Sequence, residues 1–269
     1  MIGLLKLLKK APLAGAFFVG AFWLSSAQAL AFCPAPAGLA AAQVREVVDG
    51  DTLRLQDGRS VRLIGINAPE IGRQGRGDEP FAVAARRRLQ ALVDASDGMV
   101  GLQLGAEPRD RYQRTLAHVY GRNGQSLEAQ LLAEGLGWQV VVAPNNQLSA
   151  CQHQAEQAAR AARLGLWRNP LLLPAANVQQ PGFAVVRGRV SDIARNRGAI
   201  WLELDDTLVL HIPARLQAAF DWAQLRTLAG KQVEARGWVV DRSRRGGLQA
   251  GQPRWMLPIS DPLMLQVDK

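Results

Sequence analysis

From Thr52 to Leu63 apolar and polar residues alternate, with Leu53 and Leu55 before Asp57-Gly58 and Val61 and Leu63 after it. A period of two puts alternate side chains on one face, so these are antiparallel strands with one buried side. Asp57-Gly58 predicts a two-residue type I′ turn, which needs positive φ at both central positions. Closing the hairpin on that pair sets Arg54 opposite Val61, Thr52 opposite Leu63 and Asp51 beside Ile64. Asp49, Asp51, Asn67 and Glu70 then gather at one end, with Arg62 a short step along the strand. Three acids, an amide and a guanidinium so placed suit either a metal and a phosphate or the ordinary charged end of a solvated hairpin.

The same pattern organises the chain on either side. Val44–Val48 reads as a strand, and Ile71–Asp78 as a glycine-rich basic loop. A helix is expected over Glu79–Asp94, with Pro80 in its first turn and Phe81, Ala84, Ala85, Leu89, Leu92 and Val93 as its apolar stripe. Strands follow at Val100–Leu104 and Thr115–Tyr120, separated by the polar turn Asp110–Arg114. Ser126 caps a helix carrying Leu127, Leu131 and Leu132, and Gly135 ends it. A Pro-Asn-Asn turn at 144–146 precedes a last helix, where Ser149 and Gln152 have capping-box spacing and Gly165 is the stop. Strands with interspersed helices give an α+β domain whose antiparallel sheet curls into a small barrel.

Asn169–Gly182 holds three prolines and no charge, which marks a linker. Beyond it short strands are expected at Ala184–Val190, Ile200–Leu204, Leu208–Ile212, Val233–Val240 and Met264–Val267, with one helix over Ala214–Leu228. Five strands and a helix suggest a second small barrel of the oligonucleotide-binding type, so the expected organisation is a leader over 1–29, domains over 30–170 and 183–269, and a linker over 171–182. In this second part Arg187 and Arg189 alternate on one strand, Arg195 and Arg197 share a loop, and Arg242, Arg244 and Arg245 share another. Trp201, Trp238 and Trp255 lie among them. Aromatics that stack bases beside arginines that meet phosphates are what a single-strand-binding surface needs, while tryptophans in so small a barrel also serve as core.

Charge sharpens this picture. The 269 residues carry a net +9, and +6 without Lys6, Lys9 and Lys10. A basic globular protein favours a polyanionic partner, nucleic acid or an anionic surface. Those three lysines, the apolar run Ala11–Leu24 and Ala27-Gln28-Ala29 have the layout of an export signal, with an uncleaved membrane anchor as the rival. If the leader is cut, no stable membrane association is expected. The two cysteines, Cys33 and Cys151, both outlast cleavage, and in an exported chain their even count favours a disulfide over two buried thiols. His118, His153 and His211 are scattered and read as structural.

Five stretches, in order, carry a family resemblance: Asp49-Gly50-Asp51-Thr52, then Arg62-Leu-Ile-Gly-Ile-Asn67-Ala68-Pro69-Glu70, then Asp110–Arg114, then Pro144-Asn145-Asn146, and last Leu164–Trp167. Over about residues 44–169 the chain resembles the thermonuclease (micrococcal-nuclease-like) family. The resemblance implies a five-stranded oligonucleotide-binding barrel with three helices, and calcium-dependent hydrolysis of phosphodiester bonds in DNA and RNA. It implies that Asp51, Asn67 and the Ala68 carbonyl hold Ca2+, that Glu70 orients or deprotonates the attacking water, and that Arg62 and Arg114 grip the scissile phosphate. These residue types suit that chemistry: calcium takes hard oxygen ligands, and guanidinium forks match phosphate oxygens. Arg111 and Tyr112, beside the second arginine, are candidates for substrate contact, with simple packing as the alternative for Tyr112. The family usually has aspartate where Asn67 stands. Losing one ligand charge implies weaker calcium binding, or a domain that binds nucleic acid without cutting it.

Overall fold

The computed structural model describes residues 33–72, 75, 77–245, 248 and 251–267; the expected leader lies outside the described residues. Among them no helix is long and apolar enough to cross a membrane. The first part comprises β1 (Ala40–Val47), β2 (Thr52–Leu55), β3 (Ser60–Leu63), β4 (Ile66–Asn67), α1 (Ala82–Asp94), β5 (Met99–Arg109), β6 (Thr115–Tyr120), α2 (Leu127–Ala133), β7 (Trp138–Gln139) and α3 (Ser149–Ala161). β1, β2, β3, β6 and β5 close into a barrel in that order. All pairs are antiparallel except β3 with β6. The alternating residues Val44, Leu53, Leu55, Val61, Leu63, Val100, Leu102, Ala117 and Val119 point inward, and Leu89 and Val93 of α1 and Leu127 and Leu131 of α2 join the same core.

The hairpin pairs Thr52 with Arg62, Leu53 with Val61 and Arg54 with Ser60, one residue off the expected register. Leu55 N–H donates to Arg59 O, so the loop has three residues, Gln56-Asp57-Gly58, and only Gly58 has positive φ, at 89°. The reason is burial. A one-residue slip sends a strand's side chains to the opposite face, and the two-residue turn would have set Leu53 opposite Arg62 rather than Val61. α1 begins at Ala82, three residues later than expected, with Phe81 left-handed at φ 70° and 40% exposed; Ala82, not Phe81 or Ala84, fills the buried stripe. Ser126 caps α2 as expected, its hydroxyl accepting from Ala129 N–H at 3.2 Å. Ser149 caps nothing: it lies inside α3, while Gln152 turns its amide to Ile64 O at 3.0 Å.

The second part comprises β8 (Leu173–Pro174), β9 (Gly182–Arg195), β10 (Ala199–Leu204), β11 (Leu208–Pro213), α4 (Trp222–Arg226), β12 (Gln232–Asp241), β13 (Trp255–Pro258) and β14 (Leu265–Val267). β9, β10, β11, β13 and β12 close when β12 pairs back onto β9. The parallel pair again joins the third strand to the fifth, β11 to β13, so both barrels have one topology. The fifth strand is Trp255–Pro258, which the sequence pattern did not reveal, because four residues ended by a proline resemble a loop. Leu265–Val267, expected in the barrel, pairs instead on the edge of β12. The helix expected over Ala214–Leu228 breaks into a 3-10 segment and α4, because Phe220 is extended and Asp221 restarts the helix by accepting from Ala223 and Gln224 N–H.

The two barrels share a seam. Val140 and Val141 belong to the second core, and Trp138, Leu166 and Trp167 pack with Val185 of β9. At its centre Arg236 of β12, 2% exposed, meets fully buried Glu156 of α3. Arg236 Nη1 donates to both Glu156 oxygens at 2.6 and 2.8 Å, and Arg236 Nη2 donates to Glu234 Oε1 at 3.3 Å. Arg160 adds a bond to Glu234 Oε2 at 2.8 Å and stacks over Trp167 at 4.2 Å. Cys33 and Cys151 form a disulfide that ties the start of the described chain to α3.

Removing one partner of a buried pair strands the other's charge. Arg236→Ala or Glu156→Gln should therefore cost about 3–5 kcal/mol in urea unfolding, while the double change Arg236→Met with Glu156→Leu should recover most of it. An equal loss in the double variant would mean the pair's charges are not what matters.

A second buried pair predicts a pH dependence. Glu128 accepts from Val119 N–H at 2.8 Å and the Ser126 hydroxyl at 2.7 Å, with His118 Nδ1 3.8 Å away. Burial pushes Glu128 up to about 8 and His118 down to about 4, so both are neutral at pH 6.5. Between pH 6.5 and 8 the folded state keeps a proton on Glu128 that the unfolded state has released, so stability falls as pH rises. Below 6.5 His118 acts with the opposite sign. Glu128→Gln should remove a decline of about 2 kcal/mol between pH 6.5 and 8, read from denaturant midpoints.

Candidate active site

The site begins with a turn. Asp49 Oδ1 accepts from Asp51 N–H at 3.1 Å, and Val48 N–H reaches Thr52 O, so Asp49-Gly50-Asp51 reverses the chain between β1 and β2. Gly50 is there for space. A β-carbon on it would lie 2.6 Å from the β-carbons of both Ala68 and Ala85, so the turn, the segment after β4 and α1 meet only over a bare backbone. Leu63 N–H donates to Asp51 O, which fixes the turn to the end of β3.

A second turn faces it. Gly65, at φ 89°, folds Leu63–Asn67 back, and Gln152 seals its outside. Arg62 stitches its inside: Nη1 donates to Leu63 O at 3.0 Å and Ile66 O at 2.8 Å, and Nη2 donates to Asn67 Oδ1 at 3.0 Å. The same Nη2 lies 3.0 Å from Asp51 Oδ2, which also accepts from Ala68 N–H at 2.7 Å. Thr52 Oγ1 donates to Asp51 Oδ1 at 3.0 Å. Asp51, Arg62, Asn67 and Ala68 are thus one cluster, and Arg62 is the cation between its two side-chain oxygen donors. Burial raises the Asp51 carboxyl to about 7; Arg62 pulls it down, Asp49 pushes it further up, and the Ala68 and Thr52 donors lower it.

The other expected residues have local partners of their own. Glu70 is exposed on the segment after β4, whose backbone is held by Glu79: Glu70 N–H donates to Glu79 Oε2 at 2.9 Å and Glu70 O accepts from Glu79 N–H at 3.0 Å. Arg114, at the entrance to β6, donates from Nε to Asp110 Oδ2 at 2.7 Å. Burial would raise Asp110, but Arg114's hydrogen bonds and charge outweigh it and hold the carboxyl below its usual range. Arg62 pairs with Leu116 in the parallel register, so Arg114, two residues earlier, continues the same face. Arg111 donates to the Tyr112 hydroxyl at 2.6 Å and stacks on its ring at 4.7 Å; that ring is 64% exposed, which rules out core packing for Tyr112.

Three supporting residues escaped sequence reasoning. Gln152 clamps the Gly65 turn, and Asn145 brackets β5 by accepting from Glu107 N–H and donating to Glu107 O. Arg86 of α1 donates to Val47 O at 3.2 Å, next to the acidic turn. Only Asn145 had a signal, its place in the Pro-Asn-Asn turn. Among the described residues no three His, Cys, Asp or Glu side chains converge as a metal cage.

Fold and site define the class: an oligonucleotide-binding barrel in which the turn before β2, the end of β3 and the turn into β4 gather a carboxylate, a guanidinium and an amide oxygen. Comparison with known proteins agrees. Residues 60–169 match the model of the staphylococcal nuclease homologue family. The chain is 32% identical over 127 residues to the thermonuclease of Staphylococcus intermedius, covering 46% of this chain and 74% of that protein. It is 33% identical over 150 residues to the micrococcal nuclease of Shigella flexneri, covering 52% and 76%. An uncharacterized endonuclease of Haemophilus influenzae matches at 31% over 135 residues, 48% of this chain and 68% of that protein. The chain belongs to the thermonuclease-like, staphylococcal nuclease family. The second barrel lies outside the residues of the family match.

Gly50→Ala tests the packing of the acidic turn. The forced separation from Ala68 and Ala85 should destabilise by about 1–3 kcal/mol, seen as a lowered thermal midpoint. Gly58→Ala, with open space around its β-carbon position, should answer only to its positive φ and cost about 1 kcal/mol.

Proposed function

We propose that this chain is an exported, calcium-dependent nuclease that hydrolyses phosphodiester bonds of DNA and RNA with little sequence preference. The observation that carries the reading is the buried Asp51–Arg62–Asn67–Ala68 cluster in a chain of this family. The donor set fits calcium. Asp51, Asn67 Oδ1 and the Ala68 carbonyl are hard oxygens, and Asp51, with Asp49 beside it, faces the single guanidinium of Arg62. Bound there, calcium would supply Lewis acidity toward a phosphoryl oxygen.

The chain's own residues do the rest. Arg62, once turned from Asp51 and Asn67, presents two forked N–H donors to the scissile phosphate, and Arg114, released from Asp110, presents two more from the same face. Both stabilise charge that grows on the phosphoryl oxygens as water attacks. Glu70 is exposed where water reaches it, and its carboxylate takes the proton as the new P–O bond forms and the leaving oxygen departs. Arg111 and Tyr112 offer a cation and an aromatic face to the adjoining nucleotide. Export is supported by the leader pattern of residues 1–29 and by the Cys33–Cys151 bridge, since disulfides persist in oxidising compartments.

Cleavage of denatured DNA, with calcium titrated and then chelated, tests the reading. Glu70→Gln should lower kcat by about 10²–10⁴-fold, the usual worth of a general base, with binding retained. Asn67→Asp should restore a ligand charge and reduce the calcium needed for half-maximal rate. Binding without cleavage at every calcium level would instead make the chain a nucleic-acid-binding protein with a degenerate site. Cleavage indifferent to chelator or to Glu70→Gln would place the chemistry elsewhere.

A further inference from the structure

Oligonucleotide-binding barrels present ligands to the face of their second and third strands and the loops at its margins. In the first barrel that region holds Arg62. In the second barrel it is the outer face of β10 and β11, where Trp201 pairs with His211 in register. Their rings lie 4.3 Å apart at 38°, and both residues are half-buried. Arg242, from the loop between β12 and β13, brings its guanidinium to 5.6 Å from the Trp201 ring. It is held there by bonds from Nη1 to Pro253 O at 2.9 Å and from Nη2 to Gln252 Oε1 at 3.1 Å. Neighbouring Arg244 is exposed.

The other tryptophans named with Trp201 have different roles. Trp255 is 8% exposed in the core, and Trp238 packs edge-on against Phe183 across β12 and β9. One tryptophan, one imidazole and one pre-positioned arginine remain on the binding face. Glu203 shares that face two residues beyond Trp201, and Asp192 pairs with Glu203 from β9. Asp192 and Glu203 disfavour phosphates toward β9, and Arg242, whose charge acts on Glu203, is the cation beside the Trp201 ring that a polyanion would meet, with its bases over Trp201 and His211.

We infer that the β10–β11 face of the second barrel is a binding surface for single-stranded nucleic acid, with Trp201 and His211 as the stacking platform and Arg242 as the phosphate contact. An aromatic face tolerates any base, and a guanidinium beside it tracks the backbone, the combination that sequence-indifferent single-strand binding uses. The surface serves the proposed nuclease by retaining a strand between cuts, but its binding needs no chemistry from the first barrel.

The test is fluorescence anisotropy of a fluorescein-labelled oligothymidylate of about 20 nucleotides, titrated with the full chain in chelator so that nothing is cut. Trp201→Ala should weaken binding roughly 10-fold, the scale of one lost stacked base, and Trp201→Phe should restore most of it. Arg242→Gln should weaken binding and flatten the logarithmic salt dependence by about 0.7. Affinity within about twofold of the unaltered chain for both Trp201→Ala and Arg242→Gln would overturn the assignment. The two readings fail separately: a chain that never cleaves but binds through Trp201 loses only the nuclease reading. One that cleaves and binds equally well without Trp201 loses only this surface.

Discussion

The ion pair between Arg236 and Glu156 is the constraint on which the rest of the molecule depends. Both groups are out of water, and moving two charges inside costs more than a surface pair returns. What the pair supplies is a fixed arrangement. Glu156 Oε1 also accepts from Gln139 N–H at 2.7 Å, and Gln139 O accepts from Arg236 at 3.4 Å. Gln139 is the β7 residue that pairs with Ile66 of β4, and Ile66 O is one of the carbonyls that Arg62 grips. A residue of the second barrel therefore holds, through one helix and one short strand, the backbone that carries Asn67. The second barrel is part of the scaffold of the site, and the apolar seam of Val140, Val141 and Trp167 keeps water from the pair.

At the site itself the balance is looser. Asp51 is buried beside Asp49 and faces a single guanidinium, which also serves two carbonyls and an amide oxygen. Arg114 is likewise paired, with Asp110. Both arginines proposed to meet phosphate thus rest on acids of their own chain. Such a resting state keeps flexible cations pointed at the working face, where a phosphodiester offers two anionic oxygens to the guanidinium forks and gains charge as water attacks.

Which features were legible in the sequence follows the range of the interactions that fix them. The strands of the first barrel, the Ser126 cap and the glycine stop at Gly135 depend on neighbours in the chain, and they were legible. The hairpin register was misread because Asp57-Gly58 is a strong local signal, whereas the buried pairing of Leu53 with Val61 is a demand of the core. The alternation contained the answer, since both apolar sets had to share one face. Gln152 looked like half of a capping box and is a clamp on a turn 88 residues away. Glu156 with Arg236, 80 residues apart, carries no pattern at all. In the site, Asp51, Arg62, Asn67 and Ala68 lie on one hairpin and its next turn, so their gathering could be read from spacing. The pairing of Arg114 with Asp110 could not, because i,i+4 charges across a turn meet only when the turn closes.

The two barrels pose a common problem in different chemistry. Each is a five-stranded closed sheet with a parallel pair between its third and fifth strands, and in each the second and third strands pair as a hairpin. In the first, Arg62 pairs there with Thr52, and an acidic turn lies one residue beyond. In the second, His211 pairs there with Trp201, and the chain entering β10 through Asn196, Arg197 and Gly198 has no carboxylate. Charge at that position suits a reaction, because it answers charge that develops in a transition state. An aromatic platform suits holding, because a base stacks equally well before and after its phosphate is cut. With the seam locking the barrels together, a division between cutting and holding requires only these few outward residues to differ, and the inward residues of both barrels remain free to serve packing alone.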